Sequence, residues 1–216
     1  MSQNQVKYLA TLLMIIDHIG LLLEINELKI MGVLSFPLFC WVLARNWERK
    51  NDKKVNNIND NSVKKLLMFG IISQIPYKLC TNRIELNLLV SFLICILTFK
   101  EVHKTDKKLI TLLVGMVASE LMNVSYGWFA IICPLLMINF KGQSTKKEWW
   151  FSWISANVLY TVTCQSFIQI VAIITPLIVM YHNPATDKKP GTIEKNFFYY
   201  FYPIHLVSLA SIKGIL

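Results

Sequence analysis

Four side chains sit inside apolar stretches that are costly places for them, and together they have the chemistry of proton transfer. Asp17 and His18 stand side by side in the apolar run 6–25, Gln74 lies in a later run, and His205 lies in the last one. An ionisable group at the centre of a membrane helix costs about 2.5–3.5 kcal/mol on insertion scales. Such groups face a cavity or a partner. Counted at about 1.5 Å per residue from the inner helix ends, Asp17, His18 and Gln74 lie roughly 16–18 Å deep and His205 roughly 13 Å. The hydrocarbon layer is about 30 Å thick, so all four are expected near its middle. Neighbours on a helix point about 100° apart, so Asp17 is not expected to orient His18 directly. Either could meet His205 or Gln74 across a helix interface. A carboxylate beside an imidazole fixes its tautomer and strengthens it as a general base. The competing role is a structural polar knot that ties three helices together. Three ionisable groups at one depth are more than such a knot needs, which favours a site with Asp17, His18 and His205 as its catalytic groups.

Other polar residues fall at the span ends. Arg45 closes the second span at the inner surface, where it can clamp a phosphate of a soluble donor. Snorkelling as a topogenic charge is its commoner role. Asn87 and Tyr126 lie near the outer ends and could line an acceptor pocket with Gln74, although an aromatic-belt position also explains Tyr126. Glu24 and Glu120 are expected at headgroup level. Pro37, Pro76, Pro134, Pro176 and Pro203 fall inside spans, where each frees a backbone carbonyl and can kink its helix. Cys40, Cys80, Cys95, Cys133 and Cys164 form no CxxC pattern. They read as packed thiols, with neither a disulfide framework nor a metal-ligand spacing.

The elements that must carry these residues are membrane helices. Of the 216 residues 54% are hydrophobic and 16% charged, whereas a soluble domain averages about 25% charged. The apolar residues come in long blocks, placed at about 6–25, 29–47, 63–80, 86–102, 108–123, 126–140, 149–164, 166–182 and 196–214. The expected fold class is all-α, a polytopic integral membrane bundle of about nine transmembrane helices forming a single domain, 1–216. The second and fifth blocks are short, so a tilted or re-entrant segment is an alternative there. The first block carries Asp17-His18 and no small-residue cleavage site, and reads as a retained helix. With a cytoplasmic N-terminus and an extracytoplasmic C-terminus, only Lys29, Lys78, Arg83 and Lys213 of the 22 Lys and Arg residues fall outside. The rest, from Lys7 to Lys195, fall on the inner side, as positive-inside topology requires. The net charge of +9 thus has an orientational origin. It argues against nucleic acid as a partner and favours an anionic lipid bilayer surface. The polar, Asn-rich loop 51–61 is the expected flexible segment.

Several segments resemble one family in order along nearly the whole chain. They are Lys7-Tyr-Leu-Ala-Thr-Leu-Leu-Met-Ile-Ile-Asp17-His18-Ile-Gly20, then Phe36-Pro37-Leu38-Phe39 and Ile72-Ser73-Gln74-Ile75-Pro76-Tyr77. Leu86-Asn87-Leu88-Leu89, Ser125-Tyr126-Gly127 and Phe201-Tyr202-Pro203-Ile204-His205-Leu206 follow. The ordered set resembles the TraX family, whose named activity is acetylation of the pilin N-terminus in conjugative pilus biogenesis. The resemblance implies a membrane acyltransferase of the bacterial inner membrane. It also implies acetyl-CoA as cytoplasmic donor, no metal, and a pilin or other envelope acceptor. O-acetylation of a surface glycan is the nearest variant. The family pattern has Gly-Arg shortly before Phe-Pro, whereas here Gly32-Val33 stands there. Two other classes compete. A proton-coupled transporter would use the same midplane groups as a relay, and a non-catalytic pilus assembly factor would not need them.

Overall fold

The computed structural model describes residues 1–51, 60–188 and 191–214. The loop expected at 51–61 falls largely outside the described residues, as do Lys53, Lys54 and Lys189. The elements are α1 (Gln3–Leu22), α2 (Asn26–Gly32), α3 (Ser35–Asn51), α4 (Asp60–Thr81), α5 (Leu88–Lys104), α6 (Lys108–Leu121) and α7 (Phe129–Met137). Then come α8 (Phe140–Gln143), α9 (Lys147–Thr163), a 3-10 helix (Phe167–Ile174), α10 (Thr175–Met180), a 3-10 turn (Pro184–Thr186) and α11 (Thr192–Lys213). The architecture is all-α. The one β-type pairing among the described residues is a parallel bridge between Leu86 and Val124. The chain forms two compact units, Met1–Arg49 with Cys133–Asn196, and Lys50–Ile132 with Phe197–Leu216.

In the first unit, α1 begins on a capping box between Ser2 and Gln5. It ends where Glu24 adopts φ 57° and the Ile25 amide returns to the Gly20 carbonyl at 2.9 Å, the Schellman pattern. That reversal packs α2 back on α1. The second expected span is broken. Pro37 cannot donate to the carbonyl of Val33 and its ring crowds that oxygen. The chain therefore turns at Val33–Leu34 and restarts as α3, with Pro37 in the first turn. The first half of the eighth expected span is 3-10. Pro176 has no amide for Ala172, so Thr175 donates to that carbonyl instead. The 3-10 form rises about 2.0 Å per residue against about 1.5 Å in an α-helix, which lengthens the segment. Trp149, Trp153, Asn157 and Thr161 form the buried stripe of α9. The Trp153 indole N–H donates to the Ile173 carbonyl at 3.0 Å.

In the second unit, α5 packs against both α4 and α6 and is buried along most of its length. α6 is patterned in reverse of a soluble amphipathic helix. Leu109, Ile110, Leu113, Val114, Val117 and Leu121 are at least half exposed, while Gly115 and Ser119 are the buried residues. Large apolar groups outward and small residues at the contact are what a lipid-facing helix requires. Among the described residues two stretches, the helix Gln3–Leu22 and the run Asn26–Arg49 across the turn at Val33–Leu34, are long and apolar enough by length and composition to cross a membrane. The sixth expected span yields only the nine residues of α7, preceded by 3-10-type bonds from Tyr126 and Gly127 onward.

A Cβ on Gly115 would lie 2.4 Å from Oγ1 and 2.5 Å from Cγ2 of Thr98 on α5. Gly115→Val should therefore cost about 1–3 kcal/mol by overpacking, read as a lower Tm of the purified chain in detergent. Adding Thr98→Ala should recover part of that loss, whereas an exposed control, Val114→Leu, should leave Tm unchanged.

Candidate functional site

The expected site residues divide between the units. Asp17, His18 and Arg45 belong to the first, and Gln74, Asn87, Tyr126 and His205 to the second.

His18 is buried in α1, and its Nδ1 lies 2.7 Å from the Met14 carbonyl. His205 is buried in α11, with Nδ1 3.1 Å from the Phe201 carbonyl. A carbonyl oxygen only accepts, so each Nδ1 carries the proton and each Nε2 holds the lone pair in the neutral ring. The His205 ring stacks on Phe201 with centroids 5.0 Å apart and meets Tyr202 edge-on at 5.5 Å, which fixes its plane. Asp17 is half-buried and pressed by α2: a Cβ on Gly32 would lie 2.3 Å from the Asp17 Cβ and 2.6 Å from Oδ1. Only glycine leaves room for this carboxylate. Val33, which follows Gly32, is 3% exposed.

Gln74 and Asn87 are brought together. The Asn87 Nδ2 donates to Gln74 Oε1 at 2.8 Å and to the Gly70 carbonyl at 2.7 Å. The Asn87 amide also donates to Gln74 Oε1, at 3.0 Å. Gln74 Nε2 donates to the Glu85 carbonyl at 3.0 Å, and Asn87 Oδ1 caps α5 through the Leu89 amide. Sequence reasoning missed the carboxylate beside them. Glu85 Oε1 accepts from the Tyr77 hydroxyl at 2.6 Å, from Ser125 at 3.2 Å and from Arg83 at 3.3 Å. For Arg83, burial works against its charge, but Glu85 wins and holds the guanidinium above its ordinary pKa. The bridge at Leu86 and the Ser91 hydroxyl, 2.7 Å from the Ser125 carbonyl, set the segment 123–127 against this cluster. There Tyr126 takes φ 68° and Gly127 φ 47°. A tyrosine in the left-handed region is strained. The positive φ of Gly127 suits glycine, and a Cβ there would also lie 2.1 Å from Glu120 Oε1, so that side chain would have to move. Glu120 also accepts from the Trp128 amide at 2.7 Å, a structural role beyond the headgroup position expected for it.

Arg45 does not stand as an isolated cation. Its Nη1 is 2.6 Å from Glu48 Oε2, and Glu48 also accepts from the Asn139 amide. These residues line a small pocket with Trp41, Lys141 and His182. His182 was absent from the sequence expectations. It sits two residues past α10, where the turn Pro184–Thr186, capped by Asn183, swings Asp187 back to it. The His182 Nε2 lies 3.0 and 3.1 Å from the two Asp187 oxygens. Asp187 also accepts from the Gln3 amide at 2.6 Å and from Arg49 at 2.5 Å. The visible signal was a His and an Asp five residues apart around Asn-Pro, a turn dipeptide. Burial would raise the Asp187 carboxyl, but the Gln3 amide, His182 and Arg49 hold it below the usual range. Among the described residues no cluster of three or more His, Cys, Asp or Glu could hold a metal ion.

A model of the family described as TraX protein matches residues 2–213. No curated protein and no solved structure matches the chain.

A carboxyl lowered by folding contributes stability above its unfolded pKa, about 3.9, and that contribution is lost as pH falls through the folded value. Asp187→Asn should therefore lower Tm at pH 7, with each charge-assisted hydrogen bond worth about 1.5–3 kcal/mol. It should also flatten the loss of Tm below pH 4. An unchanged Tm–pH curve refutes the assignment.

Proposed function

The chain belongs to the TraX family, and on that premise we propose that it is a membrane-embedded acetyltransferase. The donor is cytoplasmic acetyl-CoA and the acceptor an amine, first of all a pilin N-terminus. The nine apolar segments cross the bacterial inner membrane with the N-terminus cytoplasmic and the C-terminus outside. The exposed apolar stripe of α6 and the distribution of Lys and Arg support that orientation. The chemistry needs a proton carrier. The acceptor nitrogen attacks the thioester carbonyl, a C–N bond forms and the C–S bond breaks. One proton must leave the nitrogen and one must reach the departing sulfur.

The observation that carries this reading is the tautomer common to His18 and His205. Each ring is held through Nδ1 by its own helix, leaving Nε2 as the basic atom. In this reading His18 or His205 takes the acceptor proton, and Asp17 stabilises the imidazolium as it forms. Gln74, Asn87 and the strained Tyr126 shape the acceptor side, and Arg45 lies on the donor side. The family's Arg is Val33 here, so charge on the donor must be met by other residues of this chain.

The test is transfer of labelled acetyl from acetyl-CoA to an acceptor peptide by the purified full chain in nanodiscs. His18→Ala or His205→Ala should reduce the rate by about 10²–10⁴-fold, the range of general acid–base catalysis, with helix content unchanged. Full activity in both variants overturns the catalytic assignment. Proton flux in proteoliposomes with no donor turnover would replace the enzyme by a transporter.

A further inference from the structure

Glu85 carries its side-chain hydrogen bonds on one oxygen. Oε1 accepts from the Tyr77 hydroxyl at 2.6 Å, from Ser125 at 3.2 Å and from Arg83 at 3.3 Å. Among the described residues Oε2 accepts none, and the side chain is 24% exposed. One edge of the carboxylate is thus pinned while the other stays open. Tyr77 and Ser125 are both buried, so the hydroxyls that pin it are themselves fixed.

The backbone that presents this carboxylate is held on both sides. The Leu86 amide donates to the Asn123 carbonyl at 2.8 Å, and the Ser125 amide to the Leu86 carbonyl at 2.7 Å. Gln74 Nε2 holds the Glu85 carbonyl at 3.0 Å. The side-chain amides of Gln74 and Asn87 bind each other and nearby backbone, so they do not compete for Oε2. The last helix passes close by. Tyr202 bonds to the Leu88 backbone, and its ring meets His205 edge-on.

The chemistry of a ligand for Oε2 follows. A carboxylate oxygen only accepts, and it binds a charged donor about twice as strongly as a neutral one. Arg83 already shows that a cation suits the place, but it is a weak occupant. Its guanidinium is 57% exposed and makes the longest of the three contacts. Exposed pairs of this kind contribute little, so a cation brought by a bound molecule can take over the carboxylate's charge. A guanidinium is matched to both oxygens of a carboxylate. A primary ammonium, a compact charge with three donors, suits a single open oxygen better. The segment 82–87 also follows α4 on the side expected to face outward, from which the acceptor arrives.

We propose that Glu85 Oε2 is the capture point for the ammonium group of the acceptor, which competes with Arg83 for the carboxylate's charge. The proposal rests on the acetyltransferase reading above for the identity of its ligand. Glu85 captures the charged form and takes no part in the transfer itself.

The experiment is calorimetry of the purified full chain with tetraalanine amide and with lactoyl-trialanine amide, in which a hydroxyl replaces the terminal ammonium. The wild type should bind the ammonium peptide about tenfold more tightly, the gap between a charged and a neutral hydrogen bond. Glu85→Gln keeps an oxygen for Tyr77 and Ser125. It should weaken the ammonium peptide to the lactoyl level and leave the lactoyl peptide unchanged. Arg83→Ala should tighten the ammonium peptide by about threefold, because a competing cation is gone. A carboxylate that only fastens the loop predicts the reverse, since losing Arg83 would loosen it. Equal affinity of the wild type for both peptides, no binding of either, or a Glu85→Gln loss common to both overturns the proposal. Acetyl transfer to the peptide amine without this discrimination sinks this inference alone. Discrimination without acetyl transfer sinks the acetyltransferase reading and leaves the capture point standing.

Discussion

Polar groups in an apolar medium must find their partners within the protein. The device that recurs here is a side chain bonded to the carbonyl four residues back on its own helix. Thr11 donates to Lys7, Ser119 to Gly115, Asn157 to Trp153, Thr161 to Asn157 and Ser211 to Val207. His18 and His205 follow the same rule with Met14 and Phe201. For a hydroxyl the bond simply removes a desolvated donor. For an imidazole it also chooses which nitrogen stays basic. The constraint that lets polar residues enter these helices therefore also sets the tautomer of two imidazoles.

Carboxylates outside the helices act as fasteners in each unit. Asp187 collects the Gln3 amide, His182 and Arg49, while Glu85 collects Tyr77, Ser125 and Arg83. In both cases a loop carboxylate gathers donors from elements far apart in sequence. Charged acceptors suit this work, because hydrogen bonds to them are about twice as strong as neutral ones.

What could be read from the sequence was what periodicity and cost encode. The apolar runs mark the helical segments, since each expected block contains helix. The price of burying Asp17, His18, Gln74 and His205 marked them as residues needing partners. The interruptions were harder. Pro37 was legible as a kink but not as a restart, and nothing in 166–174 announces a 3-10 helix. The pairs were hardest. Gln74 meets Asn87 because the segment after α4 folds back along it, and His182 meets Asp187 only once Asn183-Pro184 has turned the chain. Both are products of tertiary geometry, which single-residue cost cannot display. Arg45 shows the converse: expected to close its span, it lies six residues inside α3, and its charge is shared with Glu48 one turn on.

The contact between Gly32 and Asp17 has a consequence for how this sequence can change over time. With 2.3 Å between the Asp17 Cβ and the Cβ that any other residue at 32 would carry, and 2.5 Å to the Asp17 Cα, position 32 is bound to glycine whatever stands at 17. The constraint runs one way: a lineage can give up the carboxylate at 17 while the glycine stays, but one that acquires a side chain at 32 must pull α2 away from α1.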